Sequence, residues 1–268
     1  MAKMNTESKR GYTLIVILVI ILLACAGIFA YMAIKSHKIV VKIEELLSSE
    51  QTSAIYLMRE DCTYCVLNKS NMKSVVDEYG FEYYNVDSND LLSKDLSKVL
   101  DLLKIEKFGT PLLVTVGNGE VISSLSGIHP YNELFDYLKE NKLISDEAKL
   151  YLNYVSYKDY MKLIEKDEPQ VFVLATSVCE YCLAEQSVLM QVAKETGAKI
   201  NYVYLDNIFD SEEEYNNFMN SLSWFNTNNN WGTPTTLIVK NKVVKNYLSG
   251  YRAMDEIIEF YTENGVIK

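Results

Sequence analysis

Hydrophobic positions are distributed unevenly along this chain of 268 residues. Near the N-terminus they form one uninterrupted run, Leu14–Ile34, whose 21 residues include no charged side chain. A helix of that length and composition spans the hydrocarbon core of a bilayer. We therefore predict a single-pass transmembrane anchor over residues 14–34, preceded by a short cytoplasmic tail over residues 1–13.

Flanking charge does not orient this anchor, because three basic residues precede it and three follow it. A short basic head, an apolar run and a long globular part are nevertheless typical of an uncleaved signal anchor. We therefore expect a protein of the cell membrane with its C-terminal domains outside the cytoplasm.

Cys25 ends the sequence LLAC, which has two interpretations, a lipoprotein cleavage box or a small residue inside a membrane helix. The nine apolar residues that follow Cys25 favour the second.

Beyond the anchor, the hydrophobic pattern occurs twice. The segment SAIYLMREDCTYC aligns with QVFVLATSVCEYC at an offset of 117 residues. Farther along, residues 109–144 align without a gap with residues 232–267, and 13 of the 36 positions are identical. The offset there is 123, so six residues are inserted in the second copy, in the loop that holds Asn226–Asn230. This internal repeat predicts two copies of one domain, residues 36–146 and residues 147–268.

Within the second copy, the hydrophobic periodicity and the positions of turn-forming residues predict the order α-β-α-β-α-β-β-α. The apolar run Gln170–Thr176 is typical of a buried strand, and Cys179–Gly197 predicts a helix that ends at its glycine. A hairpin with its turn at Asn241 follows, and then a closing helix. Strands that alternate with helices predict a parallel pair, and the hairpin makes the sheet mixed. The predicted fold class is therefore α/β, with mixed sheets flanked by helices.

Composition and charge narrow the classes of function that this protein can have. The formal net charge is −10, and phosphate binding requires a basic surface, so a nucleic-acid partner is not expected. Lysine outnumbers arginine by 23 to 3, which indicates an AT-rich bacterial genome. Neither a phosphate loop nor a dinucleotide fingerprint occurs in the sequence.

Four of the five cysteines form two pairs with the same spacing, Cys62 with Cys65 and Cys179 with Cys182. Each pair follows a predicted strand and opens a predicted helix. A cysteine at a helix N-terminus lies beside unpaired backbone N–H groups and the positive end of the helix dipole, which stabilise a thiolate. The two-residue gap brings the second sulfur within disulfide reach. Each pair therefore predicts attack by its first cysteine and resolution by its second.

These motifs, together with Gly-Thr-Pro at the start of a later strand in each copy, resemble those of the thioredoxin superfamily. The resemblance covers both copies and implies two tandem thioredoxin-like folds. It implies that the nucleophiles are Cys62 and Cys179, and that the resolving cysteines are Cys65 and Cys182. It also implies that a bound peptide contacts a threonine and a cis-proline beside each pair: Thr110 and Pro111, Thr233 and Pro234.

The resemblance further implies thiol-disulfide exchange on secreted or surface polypeptides that carry thiols or disulfides. No cofactor is required, and a membrane or secreted redox partner resets each site. The anchor and the CxYC motifs are loosely similar to the thioredoxin-like accessory proteins of bacteriocin export. A second hypothesis therefore keeps the fold without catalysis, as a binding or assembly factor for an exported peptide such as a bacteriocin.

The sequence also departs from thioredoxin. Thioredoxin carries a buried acid six positions before its nucleophile, where this chain has Tyr56 and Val173. Asp61 and Glu180 place carboxylates beside the two nucleophiles, and their charge is expected to raise the thiolate pKa. We therefore expect neither site to be a very strong oxidant, while the direction of the redox reaction stays open.

Other interpretations of the cysteine pairs remain. Two CxxC pairs can supply four zinc ligands, but the inner cysteines here lie 113 residues apart, well beyond the usual gap of about 15 to 20. One pair could load a metal such as copper, or form a structural disulfide, which would close almost no loop and add little stability. No metal site is predicted. In the insertion, Trp224 and Trp231 either cover the edge of the core or form a peptide-contacting lip.

Overall fold

The structure is a computed structural model that describes residues 6–268. Residues 1–5 of the predicted cytoplasmic tail lie outside the described residues. By its internal contacts the chain forms two compact units. The first holds the chain up to Asp61 together with Tyr83–Leu125, and the second holds Cys62–Glu82 and Ser126–Lys268. The domain bounds 36–146 and 147–268 come from the sequence repeat and stay a prediction.

The first unit begins with a continuous helix, α1 (Thr6–Ser48), of 43 residues. The part Tyr12–Ser48 is long and apolar enough to cross a membrane, with a mean hydropathy of 3.1 in its most apolar window. This finding agrees with the predicted anchor segment. The side chains of Leu14–Leu23 are exposed, as expected for a surface that faces lipid.

The same helix continues past the apolar run into the core of the first unit. Ile39, Val40 and Ile43 are buried there against strands of the sheet. One residue after Ile34, Lys35 forms an ion pair of 2.6 Å with Asp90 of the same unit. The apolar run and the first helix of the unit are therefore one element with no linker between them.

Ser36 fixes α1 at the point where it enters the unit. Its side chain is fully buried, and its hydroxyl donates a hydrogen bond of 2.5 Å to the carboxylate of Asp95. The same hydroxyl oxygen accepts a hydrogen bond of 2.9 Å from the backbone N–H of Leu92. A buried hydroxyl is costly unless it is paired, so these two bonds offset its removal from water.

The first unit contains a four-stranded sheet in the order β2-β1-β3-β4. Strand β1 pairs in parallel with β2 and antiparallel with β3. A short 3₁₀ turn and a helix, α3, connect β2 to β3. The bounds of these elements are β1 (Ser53–Met58), β2 (Tyr84–Asp87), α3 (Ser93–Leu102), β3 (Leu112–Gly117) and β4 (Glu120–Ser126).

The second unit contains a five-stranded sheet in the order β5-β7-β6-β8-β9. Strand β6 pairs in parallel with β7 and antiparallel with β8, and β8 and β9 form the closing hairpin. The strand bounds are β5 (Asn153–Tyr154), β6 (Gln170–Ala175), β7 (Ile200–Tyr204), β8 (Thr235–Lys240) and β9 (Val243–Ser249).

Helices surround this second sheet. One hydrophobic cluster joins residues of β6, β7 and β8 to those of α5, α7 and α8. The helix bounds in this unit are α2 (Thr63–Tyr79), α4 (Tyr131–Glu140), α5 (Tyr157–Leu163), α6 (Glu180–Thr196), α7 (Glu212–Ser221), α8 (Ser223–Thr227) and α9 (Met254–Glu263). Both sheets are thus mixed and flanked by helices, and the predicted α/β fold class is confirmed.

Most elements predicted in the second copy are present. The helix that opens at the second cysteine pair ends at Gly197, which has a left-handed φ of 73° that favours glycine. Asn241 and Lys242 both have positive φ, as the tight turn of the hairpin requires. The short strand β5 and the one-turn helix α8 lack the periodicity that identifies an element, so the sequence did not predict them.

Shortening Ile43 tests the contribution of α1 to the first unit. We expect Ile43→Ala to destabilise this unit by about 2 to 4 kcal/mol, because it leaves a cavity in a buried site. Hydrogen exchange of the β1 and β3 amides in the full chain would show this loss as faster exchange. Val41→Ala is the matched control, since that side chain is 46% exposed. Equal exchange in the two variants would contradict a structural role for this part of α1.

Candidate functional site

The second cysteine pair lies at the start of α6. Cys179 is the N-cap residue, and its sulfur accepts a hydrogen bond of 3.1 Å from the backbone N–H of Cys182. The two residues form a disulfide with their Cα atoms 5.2 Å apart. Cys179 is half-buried, whereas Cys182 is fully buried. A thiol from another molecule can therefore reach the Cys179 sulfur and not that of Cys182.

The loop before Cys179 is held by a carboxylate at the end of β7. Asp206 accepts hydrogen bonds from the backbone N–H of Ser177, at 3.0 and 3.1 Å, and from the Ser177 hydroxyl at 2.5 Å. The backbone N–H of Cys179 then donates to the carbonyl oxygen of Thr176. These bonds fix the turn from β6 into α6, and so the position of the reactive sulfur.

The Thr233–Pro234 segment lies against the same sulfur. Its peptide bond is cis, and the carbonyl oxygen of Thr233 is 3.5 Å from the Cys179 sulfur. The backbone N–H of Gly250 donates a hydrogen bond of 2.8 Å to the carbonyl oxygen of Pro234, which ties this segment to the end of β9. The structure thus brings together Cys179, Cys182, Thr233 and Pro234, while their catalytic and peptide-binding roles stay a prediction.

The first cysteine pair shares the N-cap arrangement of the second. Cys62 is the N-cap residue of α2, and its sulfur accepts a hydrogen bond of 3.2 Å from the backbone N–H of Cys65. Cys62 is half-buried and Cys65 is fully buried. The Thr110–Pro111 peptide bond is also cis, immediately before β3. That Thr110 and Pro111 form one site with this pair stays a prediction.

Asp61, the residue before Cys62 in the chain, is itself paired. It accepts two hydrogen bonds from the guanidinium of Arg59, at 2.5 and 2.9 Å, and one of 3.1 Å from the Asn89 side chain. These bonds, that of Arg59 first, lower the pKa of Asp61 to about 2. The arginine therefore offsets part of the negative charge that the sequence places beside the first nucleophile.

Glu185 is a buried carboxylate that the sequence analysis missed. It is 2% exposed and lies on α6 three residues after Cys182, a spacing that puts both side chains on one face of the helix. One of its oxygens accepts a hydrogen bond of 2.9 Å from the backbone N–H of Arg252. The other oxygen, Oε2, has no hydrogen-bond partner among the described residues.

Burial determines how Glu185 titrates. Desolvation raises its pKa to about 7, and the hydrogen bond and the positive charge from Arg252 only partly oppose this. A carboxyl group with such a pKa exchanges a proton near neutral pH. The position six residues before Cys179 is occupied by the buried Val173, as the sequence indicated. A buried acid is therefore present in this unit, but it lies on α6 after the cysteine pair and not on the strand before it.

The two tryptophans of the segment that holds the insertion pack in or against the hydrophobic core of the second unit. Trp224 is 8% exposed and packs in the hydrophobic cluster of the second unit, with the ring of Trp231 6.1 Å from its own. This packing agrees with the interpretation that the two rings cover the edge of the core. Among residues 6–268, no group of three or more histidine, cysteine or acidic side chains is placed to hold a metal ion.

Comparison with known proteins gives only distant similarities. No family model matches the chain. Similar solved structures include a thioredoxin from Aeropyrum pernix, with 20% identity, coverage of 41% of this chain and 84% of that protein, and a TM-score of 0.33. Thioredoxin f2 from Chlamydomonas reinhardtii is 18% identical over 44% of this chain and 99% of its own, with a TM-score of 0.34. Identities and scores this low support no conclusion about activity.

Glu185 predicts a specific dependence of stability on pH. Because its pKa is higher in the folded state than the ordinary value of 4.5, folding favours the protonated form. The associated stability is complete below about pH 4.5 and is lost as the pH rises to about 7, a change of about 3 kcal/mol. We expect Glu185→Gln to remove this loss, so that the variant gains stability relative to the native chain at pH 8.

The measurement is denaturant unfolding of the full chain between pH 4 and 8, followed by tryptophan fluorescence. Both tryptophans lie in the second unit, so the fluorescence follows the part that contains Glu185. Glu195→Gln is the matched control, because this carboxylate lies exposed on the same helix. Parallel pH profiles for Glu185→Gln and the native chain would show that Glu185 ionises as an ordinary carboxyl group.

Proposed function

We propose that this protein is a membrane-anchored thiol-disulfide oxidoreductase that acts on polypeptides outside the cytoplasm. The observation that supports this most directly is the arrangement around Cys179. Its sulfur is the reachable end of a disulfide, it caps a helix N-terminus, and it lies 3.5 Å from the carbonyl oxygen of Thr233. A polypeptide held along Thr233 and Pro234 would place its own sulfur beside the one that reacts.

The exchange reaction needs only these sulfurs. A substrate thiolate attacks the Cys179 sulfur, a mixed disulfide forms, and the Cys179–Cys182 bond breaks to release Cys182 as a thiolate. A second substrate thiolate then displaces the Cys179 thiolate, which leaves the substrate with a disulfide and the protein with two reduced cysteines. The backbone N–H of Cys182 stabilises the Cys179 thiolate as it leaves. Reduction of a substrate is the same sequence in reverse.

The first cysteine pair is proposed to work in the same way. Cys62 also caps a helix and is also the less buried member of its pair. A partner in the membrane or the secreted space would return each pair to its working redox state. We place the globular part outside the cytoplasm because α1 contains an apolar run long enough to span a membrane, and this run follows a short basic head.

A second candidate function keeps the fold as a binding or assembly factor for an exported peptide, such as a bacteriocin. Two exposed aromatic side chains of the second unit favour it: Tyr181, between the two cysteines, is 68% exposed, and Tyr247 on β9 is 45% exposed. Such rings bind a peptide without any covalent step. The two functions differ in whether they require the reactive sulfurs.

Replacing both proposed nucleophiles separates these functions. We expect Cys62→Ser with Cys179→Ser to abolish exchange with a disulfide-bonded polypeptide, because serine does not form a mixed disulfide. Reduction of insulin by dithiothreitol, followed by turbidity, measures the activity. Cys25→Ser is the control, since Cys25 lies in α1 away from both pairs and should leave the rate unchanged. Full activity in the double variant would exclude an oxidoreductase that uses these two sites.

The direction of the reaction follows from the reduction potential of each pair. Equilibration of the full chain in graded thiol buffers, with alkylated cysteines counted on separated peptides, gives both values. Potentials above about −200 mV would support formation or shuffling of disulfides, and values near −270 mV would support reduction. We expect neither pair to approach about −120 mV, the value of the strongest oxidants of this type, because carboxylates flank both nucleophiles. A value there for either pair would contradict this expectation.

A further inference from the structure

The six-residue insertion of the second copy forms one wall of a pocket of about 440 Å³. We call it the insertion pocket. Its lining includes Trp224, Asn229, Asn230 and Trp231 from the segment that holds the insertion, and Tyr247 and Ser249 from β9. This volume lies in the range of about 300 to 1,000 Å³ that is usual for sites that bind small groups. The insertion therefore builds a cavity as well as covering the edge of the core.

The insertion pocket adjoins the Thr233–Pro234 segment on two sides. Trp231 precedes Thr233 by two residues, so their Cα atoms are at most about 7.6 Å apart. Ser249 pairs across the hairpin with Thr235, the residue after Pro234. Because the carbonyl oxygen of Thr233 is 3.5 Å from the Cys179 sulfur, the pocket lies within two or three residues of an extended polypeptide whose cysteine reacts there.

The chemistry of the lining selects an uncharged aromatic group. The ring of Trp224 lies 6.1 Å from that of Trp231 and 5.2 Å from that of Tyr247. None of the described residues that line the pocket carries a formal charge. Flat aromatic surfaces bind another ring in stacked or edge-to-face geometry. The amides of Asn229 and Asn230 add hydrogen-bonding groups at the exposed rim.

A second observation points to a bound group. Trp224 lines the pocket, and its indole Nε1 is buried and has no hydrogen-bond partner in the described part of the chain. Buried indole N–H groups usually find an acceptor, so an unpaired one requires an explanation. A small movement of the ring upon binding would let a carbonyl or hydroxyl oxygen of the bound group supply that acceptor.

We infer that the insertion pocket binds an aromatic side chain, Phe, Tyr or Trp, located two or three residues from the reacting cysteine of the substrate polypeptide. This inference rests on the proposed exchange function. It makes the second site selective, whereas the first copy lacks the six inserted residues.

The test uses the full chain with Cys62→Ser and Cys65→Ser, so that only the second pair reacts. Reduced seven-residue peptides carry a central cysteine, with phenylalanine placed in turn at every other position and alanine elsewhere. The rate at which each peptide reduces the Cys179–Cys182 disulfide is measured over a range of concentrations. We expect phenylalanine two or three residues from the cysteine to accelerate the reaction about three- to tenfold at low peptide concentration, through a lower half-saturating concentration.

Two further measurements separate binding from chemistry. Tyr247→Ala should remove most of the preference for the aromatic peptide while the rate with dithiothreitol changes less than about twofold. Tyr215→Ala is the matched control, because this ring has a similar exposure of 48% but lies on α7 outside the pocket lining. With Tyr247 intact, N-acetyl-tyrosine amide should inhibit the reaction of the aromatic peptide and not that of dithiothreitol.

Equal rates for all peptides, or a full preference in Tyr247→Ala, would overturn the inference and leave the proposed function standing. A disulfide that reacts with neither dithiothreitol nor any peptide would overturn the proposed function, and this inference with it.

Discussion

The hydrogen bond from the Cys182 backbone N–H to the Cys179 sulfur is the interaction on which the second site depends. A helix leaves its first N–H groups without backbone partners, and here the sulfur of the N-cap residue accepts one of them. This bond positions the sulfur and favours its ionised form. It exists because a buried strand delivers the chain to the helix start, through a loop that Asp206 holds in place.

The sheet explains why Thr233 and Pro234 face that sulfur. Strands β6 and β8 are antiparallel neighbours, so the last residues of β6 and the first residues of β8 lie at the same end of the sheet. The loop that leads to Cys179 starts at that end, and the Thr233–Pro234 segment enters β8 there. Segments 54 residues apart in the chain therefore meet at one sulfur. The insertion enlarges the second segment, and β9 completes the pocket that it lines.

The sequence predicted the elements that follow a regular hydrophobic pattern or a local rule for turns and helix ends. The apolar run of β6, the glycine that ends α6 and the turn of the final hairpin all follow from local rules, and all are present. Glu185 could not be predicted in the same way, because a glutamate in an amphipathic helix usually faces water. Its burial depends on the segment around Arg252, which is 67 residues away in the chain. Strand β5 likewise exists only through its pairing with β7.

Helix α1 has two kinds of surroundings, an exposed apolar run and the core of the first unit. Which of them a residue meets depends on where it lies along the helix more than on how apolar it is. The side chains of Leu14–Leu23 are exposed, whereas Ile39, Val40 and Ile43 complete the core of the first unit. The length of the apolar run predicted a membrane span. Three apolar residues form too short a pattern to predict that the following part of the helix packs in a core. The inserted loop was visible as a change in the repeat offset, but its contribution to a pocket depends on Tyr247 from another strand.

The absence of a linker in α1 limits where the first unit can work. Once the apolar run lies in a bilayer, Lys35 and Ser36 are at its surface and already bound to the unit. A flexible tether would let the unit sweep a volume that grows with tether length, whereas a continuous helix holds it at a fixed height. A unit held in this way would stay beside the bilayer, so the substrates proposed for it would be polypeptides close to the membrane surface.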